Sequence, residues 1–106
     1  MTAFRILALA GVAALAATLP VRAATIEVTI SKFAFSPAEI TAKPGDVIEW
    51  TNKDAFAHTA TAKDKSFDVS VPANGKGTLT VPDKAGAFDY FCRFHPMMKG
   101  KLTVAK

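Results

Sequence analysis

The 106-residue chain has little of what most often carries chemistry: one cysteine and two histidines. A single cysteine excludes an internal disulfide and leaves a free thiol or a metal-bound thiolate. Haem attachment through C-x-x-C-H is excluded for the same reason. A structural zinc site, which prefers two or more thiolates, is disfavoured. The chain also lacks a polybasic run, so nothing in it indicates nucleic-acid binding.

Long apolar runs are scarce as well. The longest, Ile6–Leu19, follows Arg5 and leads to the small residues Ala23 and Ala24. This order of a basic start, an apolar middle and a small-residue exit is that of a secretory signal peptide. The run is shorter than the roughly 20 residues that a membrane-spanning helix needs, so a retained anchor is the weaker alternative. The leader has no twin-arginine pair and no cysteine directly follows it, so neither twin-arginine export nor lipid anchoring is indicated.

The predicted cleavage point lies after Ala23, because cleavage after Ala24 would place Arg22 at the third position before the cut. Residues 1–23 are then the signal peptide, and residues 24–106 form one small domain. We expect export to the periplasm and no stable membrane insertion. Loss of the leader lowers the formal net charge from +4 to +2. Exported domains of this size commonly need disulfides or a metal, and here only a metal is available.

The mature chain has the pattern of an all-β protein. Thr25–Ile30 alternates apolar and polar residues, as a half-buried strand does. Turn residues separate similar short runs, and no helical period persists over three turns. About eight strands at this spacing predict a Greek-key β-sandwich. The further predicted strands are Glu39–Lys43, Val47–Asn52, His58–Ala62, Phe67–Val71, Gly77–Val81, Phe88–Cys92 and Lys101–Val104.

The strand before the last places Phe88, Tyr90 and Cys92 on one face by the period of two. If this face points inward, it buries both aromatic rings and brings the Cys92 sulfur to one end of the sandwich. Tyr90 is either a tyrosine corner, whose hydroxyl binds upstream backbone, or an ordinary core tyrosine. Both alternatives stay open from the sequence.

Cys92, His95 and Met98 follow the spacing C-x2-H-x2-M directly after this strand. A loop this short brings a thiolate, an imidazole and a thioether together, and these ligands suit copper above other metals. His58 lies 34 positions before Cys92 and would complete a mononuclear His₂Cys site with a weak axial methionine. The spacing favours Met98 over Met97 as that ligand. A Cys-His hydrolase would need a third orienting residue and a substrate cleft, so we do not expect an enzyme.

Two stretches resemble the cupredoxins, the small blue copper proteins, and within them the amicyanin branch. The first runs from Phe35-x-Pro37 through Pro44-Gly45-Asp46 to Trp50-x-Asn52, with a histidine at His58. The second is Gly86-x-Phe88-x-Tyr90-x-Cys92-x-x-His95-Pro96-x-Met98-x-Gly100. The resemblance implies one copper ion per chain, cycling between Cu(I) and Cu(II), held by His58, Cys92, His95 and Met98. It also implies that Asn52 fixes a loop beside the site.

The function implied by this resemblance is one-electron transport in the periplasm by a monomer. Its partners would be redox proteins, with a periplasmic dehydrogenase and a c-type cytochrome as candidates. The apolar residues Phe94, Pro96 and Met97 around His95 would form the docking patch. The alternative is a copper carrier or buffer without an electron-shuttle role. Such a protein would carry extra methionine or histidine clusters, and only Met97 is surplus here.

One residue departs from the family pattern. Many relatives carry asparagine directly after the first histidine, and this chain has Thr59. We expect backbone amides near Thr59 and Phe94 to donate hydrogen bonds to the Cys92 thiolate, because such bonds tune the potential of a copper–thiolate centre. The departure at Thr59 affects these bonds rather than the choice of metal.

Overall fold

The computed structural model describes residues 23–106. The predicted signal peptide falls almost wholly on residues 1–22, which lie outside the described part, so its cleavage stays a prediction. Within the described part there are nine strands and no helix, and hence no helix able to cross a membrane. The strands are β1 Thr25–Ser31, β2 Ala34–Ser36, β3 Glu39–Ala42, β4 Val47–Asn52, β5 His58–Ala62, β6 Asp68–Val71, β7 Lys76–Thr80, β8 Gly86–Phe91 and β9 Lys99–Val104.

The strands form two sheets, in the orders β2-β1-β4-β7 and β3-β9-β8-β5-β6. The β1–β4 and β3–β9 pairs are parallel, and the other pairs are antiparallel. Neighbours in a sheet are mostly not consecutive in the chain, as in a Greek-key sandwich. The predicted all-β sandwich is therefore confirmed.

The core lies between the inner faces of the two sheets. Alternate residues of each strand point inward, so Ile48 and Trp50 of β4 are buried while their neighbours are partly exposed. Phe88, Tyr90 and Cys92 are also buried, which confirms the predicted inward face of the strand before the last. This alternation carries the Cys92 side chain to one end of the sandwich.

Strand β2 was not among the predicted strands. It follows a tight reversal in which Lys32 and Phe33 both adopt positive φ, at 53° and 58°. Non-glycine residues rarely do so, and the reversal contains no glycine, proline, asparagine or aspartate that would reveal a turn. The Asp54 carboxylate accepts the amides of Lys32 and Phe33, at 2.8 and 3.0 Å. A side chain more than 20 residues away therefore stabilises the turn, which a local pattern cannot reveal.

Tyr90 is a core tyrosine rather than a tyrosine corner. Its hydroxyl accepts a long hydrogen bond, 3.4 Å, from the Trp50 indole. Among the described residues, no hydrogen bond joins this hydroxyl to the backbone of the preceding turn. The ring packs edge-on against Phe35 and Trp50, with centroids 4.9 and 5.7 Å away. Burial raises the pKa of the Tyr90 hydroxyl, so this group stays neutral in the core.

Asp46 closes the turn between β3 and β4 and also ties down the start of β1. Its carboxylate accepts the amides of Lys43 and Ala24, both at 2.9 Å. These two bonds hold the pKa of Asp46 below its usual range, and the bond from the Lys43 amide has the larger effect. The bonds therefore stabilise the folded protein at pH values above about 3.9, the pKa of an aspartate in the unfolded chain. This stability is lost as the pH falls through the lower pKa that Asp46 has in the folded protein.

We expect Asp46→Asn to lower the free energy of unfolding of the copper-free protein at pH 7. We also expect it to weaken the loss of stability between about pH 4 and pH 2, because one of the low-pKa carboxylates is gone. Urea unfolding at a series of pH values measures both effects. Asp89→Asn, on the exposed face of β8, is the matched control. An Asp46→Asn curve parallel to that of the wild type would contradict the assignment.

Candidate metal centre

Three of the predicted ligands meet at one end of the sandwich. His58 begins β5, Cys92 directly follows β8, and His95 lies in the loop before β9. The Cys92 Sγ atom lies 3.7 Å from Nδ1 of His58 and 3.7 Å from Nδ1 of His95. The three donor atoms are all within 4.8 Å of one another. Cys92 and His58 are buried and His95 is half-buried, so the cluster is closed on the core side and reaches the surface through His95.

These separations suit one metal ion. Thiolate sulfur and imidazole nitrogen lie about 2.3 and 2.0 Å from an ion such as zinc, so in a trigonal arrangement the two donors are about 3.7 Å apart. The observed sulfur–nitrogen distances match this value. One thiolate with two imidazoles is a donor set that suits copper. The cluster therefore fits a single copper ion.

The loop after Cys92 is tied to itself by its backbone. The Cys92 amide donates to the Met98 carbonyl at 3.1 Å, the His95 amide to the Cys92 carbonyl at 3.2 Å, and the Met98 amide to the His95 carbonyl at 2.8 Å. Pro96 adds its fixed φ between them. The three residues of the C-x2-H-x2-M pattern thus hold one another, as expected of so short a loop.

The two adjacent methionines have opposite environments. Met98 is 3% exposed and belongs to the same buried cluster as Cys92, whereas Met97 is 90% exposed. This contrast agrees with the spacing argument for Met98. The assignment of Met98 as the axial ligand remains a prediction.

We expect Met98→Leu to keep the intense colour of a copper–thiolate site and to raise its reduction potential. The axial thioether binds weakly, and losing it destabilises Cu(II) more than Cu(I). Met97→Leu is the matched control, and we expect it to leave the spectrum and potential nearly unchanged. Visible spectroscopy and voltammetry of the two variants test the assignment. If Met97→Leu shifts the potential and Met98→Leu does not, Met97 is the ligand and the assignment is wrong by one residue.

Asp54 orients the His58 ring. Its Oδ2 atom lies 2.9 Å from Nε2 of His58, on the side of the ring away from Cys92. A carboxylate only accepts hydrogen bonds, so Nε2 carries the proton and Nδ1 faces the cluster with its lone pair. Hydrogen bonds hold the pKa of Asp54 below its usual range. The bond from the Phe33 amide has the largest effect, followed by those from His58 and Lys32. Asp54 was not among the predicted site residues, and its position four residues before His58 was the only local signal.

Asn52 fixes the segment that leads to His58. Its side-chain nitrogen donates to the carbonyls of Phe56, Val71 and Pro72, at 2.7, 3.3 and 3.2 Å. Its oxygen accepts the Asp54 amide at 2.9 Å. A buried amide with four partners is a structural clamp, in agreement with the loop-fixing role implied by the resemblance.

The Cys92 sulfur accepts one of the two predicted amide bonds. The Thr59 N–H donates to Sγ at 3.4 Å. Within the described residues no amide of Phe94 donates to the sulfur, and the loop amides of His95 and Met98 bind carbonyls. The donor expected near Phe94 is therefore a wrong prediction, and Thr59 supplies the bond.

The loops around the cluster carry exposed apolar side chains, which we call the apolar cap: Phe33, Phe56, Phe94 and Met97. These four are the exposed large hydrophobic residues of the described chain. The Phe33 ring stands edge-on to the rings of His58 and His95, with centroids 5.4 and 4.8 Å away, and it packs against Phe56. The sequence predicted the part around His95. It missed Phe33 and Phe56, which come from two other loops.

Comparison with known proteins agrees with this geometry. Residues 3–104 match the family model of the cupredoxin-like domain. Amicyanin-alpha of Methylorubrum extorquens is 35% identical, covering 98% of this chain and 92% of the relative. The crystal structure of amicyanin from Paracoccus versutus superposes with a TM-score of 0.66 and 30% identity, covering 85% of this chain and 88% of that one. A Cu(I) form of an amicyanin variant gives a TM-score of 0.66 and 30% identity, covering 85% and 89%. This chain thus belongs to the cupredoxin-like family and is similar to its amicyanin branch.

Proposed function

We propose that the protein is a blue copper protein that carries single electrons between redox partners. The observation that carries this proposal is the convergence of one thiol and two imidazoles within 4.8 Å at the apolar end of the sandwich. When bound there, copper supplies a one-electron couple between Cu(I) and Cu(II). The proposed ligands are His58, Cys92, His95 and Met98.

The protein's part in this function is to hold the ligands still. His58 begins β5 and Cys92 directly follows the neighbouring strand β8, and both are buried. Asp54 and the Thr59 amide fix the directions of their donor atoms. A preformed arrangement changes little between the two charge states, so little reorganisation accompanies electron transfer. This favours a carrier, which works by exchange with partners and needs no substrate cleft.

Partners are proposed to dock on the apolar cap, above the half-buried His95. Exposed aromatic and methionine side chains in one patch are typical of interaction sites. Docking there would bring a partner's redox centre close to the His95 ring. A periplasmic dehydrogenase as donor and a c-type cytochrome as acceptor are the partners proposed for a monomeric carrier of this kind.

Export to the periplasm is proposed with cleavage after Ala23. The nitrogen of Ala24 lies 2.9 Å from Oδ1 of Asp46. Cleavage after Ala23 would make this nitrogen an ammonium group, which strengthens its bond to the carboxylate. Cleavage after Ala24 would remove the contact. Mass spectrometry of the exported protein tests the position: a mature chain that starts at Ala24 is expected, and one that starts at Thr25 would contradict it.

A copper-delivery protein is the alternative function, and the exposed thioether of Met97 is the observation that favours it. Mixing the reduced protein with an oxidised c-type cytochrome separates the two functions. We expect rapid cytochrome reduction, with all the copper still on this chain. Copper transfer to an apo-acceptor without electron exchange would favour delivery instead.

Phe33→Ser, which changes the apolar cap and no proposed ligand, is expected to slow cytochrome reduction.

A further inference from the structure

Thr59 contacts the Cys92 segment twice. Its backbone N–H donates to Cys92 Sγ at 3.4 Å, and its hydroxyl accepts the N–H of Arg93 at 2.9 Å. The residue that departs from the usual asparagine thus holds both the sulfur and the peptide that follows it. Thr59 is fully buried, so its hydroxyl must find its own acceptor inside the protein.

That acceptor is Thr61, and the direction of the hydrogen bonds follows from proton counting. The Thr61 hydroxyl donates to Oδ1 of Asp68 at 2.6 Å, because a carboxylate can only accept. With its one proton used, Thr61 accepts from the Thr59 hydroxyl at 2.9 Å. The bonds therefore run in one direction, from the Arg93 amide through both hydroxyls to Asp68. Hydrogen bonds aligned in this way strengthen one another.

The chain of bonds closes into a ring. Nε of Arg93 donates to the same Oδ1 atom of Asp68 at 3.1 Å. Arg93 is thus held at its amide by Thr59 and at its guanidinium group by Asp68. The ring joins strands β5 and β6 to the residue directly after Cys92. We refer to it as the Arg93 ring: Thr59, Thr61, Asp68 and Arg93.

We propose that Thr61 and Asp68 are positioning residues for the Cys92 sulfur, acting through the Arg93 ring. By clamping the Cys92–Arg93 peptide, the ring fixes the direction in which Sγ faces the two imidazoles. The role rests on the proposed copper site, but the ring itself is a property of the chain without metal. Neither Thr61 nor Asp68 is a proposed ligand, so both can be changed without altering the donor set.

The first test uses the copper-free protein. Thr61→Val keeps the shape of the side chain and removes the hydroxyl, whereas Thr61→Ser keeps the hydroxyl. We expect Thr61→Val to raise the amide hydrogen-exchange rate of Arg93 about fivefold, as loss of one hydrogen bond would. Thr61→Ser is expected to stay near the wild-type rate. Thr78→Val, the same change at an exposed position on β7, is the control.

The second test loads the variants with copper and records visible and electron paramagnetic resonance spectra. We expect Thr61→Val to change the relative intensities of the sulfur-to-copper bands, with Thr61→Ser restoring them. Asp68→Ala breaks the ring from its half-exposed end and is expected to act in the same direction. A purely structural role would lower stability and leave these spectra alone.

Two results would overturn the proposal. One is unchanged spectra in both Thr61→Val and Asp68→Ala, whatever happens to the Arg93 exchange rate. The other is faster exchange at every core amide alike, which would indicate general destabilisation. Failure of the proposed function would look different: wild-type protein with copper would lack the intense band, while the exchange test would still report on the ring.

Discussion

Replacing Cys92 with serine is expected to abolish the intense visible absorption of the copper-loaded protein and to leave the β-sandwich folded. The absorption of such sites arises from charge donation by the thiolate, and a serine hydroxyl stays protonated at neutral pH and binds copper poorly. Cys92 directly follows β8 at one end of the core, so most of the buried cluster does not depend on its side chain. The change is also small in volume, so packing is nearly conserved.

Visible absorption and electron paramagnetic resonance on copper-loaded protein measure the loss, and circular dichroism checks the fold. Met97→Leu, on the exposed side of the same loop, is the control and is expected to stay coloured. A Cys92→Ser protein that keeps the intense band would show that the thiolate is not the donor. A pale wild type with a tetragonal spectrum would contradict the blue-copper proposal itself.

Gly100→Ala is expected to lower the free energy of unfolding strongly, because the added methyl group would clash with a buried ring. Gly100 faces Tyr90 across the β8–β9 pair. A Cβ atom here would lie 2.6 Å from the Tyr90 hydroxyl oxygen and closer still to the ring carbon that bears it. Tyr90 is fully buried between Phe35 and Trp50 and cannot move away. Overpacking typically costs about 1 to 3 kcal/mol, and we expect the upper end here because the contacted ring is held on both sides.

Urea unfolding of the copper-free protein measures this cost, with Lys101→Ala on the same strand as the control. A double-mutant cycle with Tyr90→Leu identifies its cause. The smaller side chain makes room for the added methyl group, so the double variant should lose less stability than the two single variants combined. Strict additivity would mean that the clash with Tyr90 is not the reason, and a loss below about 1 kcal/mol for Gly100→Ala would mean that β9 shifts freely.

The sequence by itself determined the fold class and most of the proposed ligand set. Alternating runs such as Thr25–Ile30 can bury one face only as strands, so the sandwich followed from a period of two. Cys92, His95 and Met98 had to lie together because only two residues separate each from the next and Pro96 restricts the loop. These are local properties of the chain, and local geometry decides them.

The tertiary structure alone decided what surrounds these ligands. Asp54 lies in the loop before β5 and contacts His58 from there. The amides of Lys32 and Phe33 hold its carboxylate in place. These amides belong to the reversal before β2, which the sequence pattern did not predict. Phe33 covers both imidazole rings from that reversal. Thr59 meets Arg93 across 34 positions. Such contacts depend on which strands become neighbours, and a periodic pattern fixes the face of each strand without fixing its neighbours.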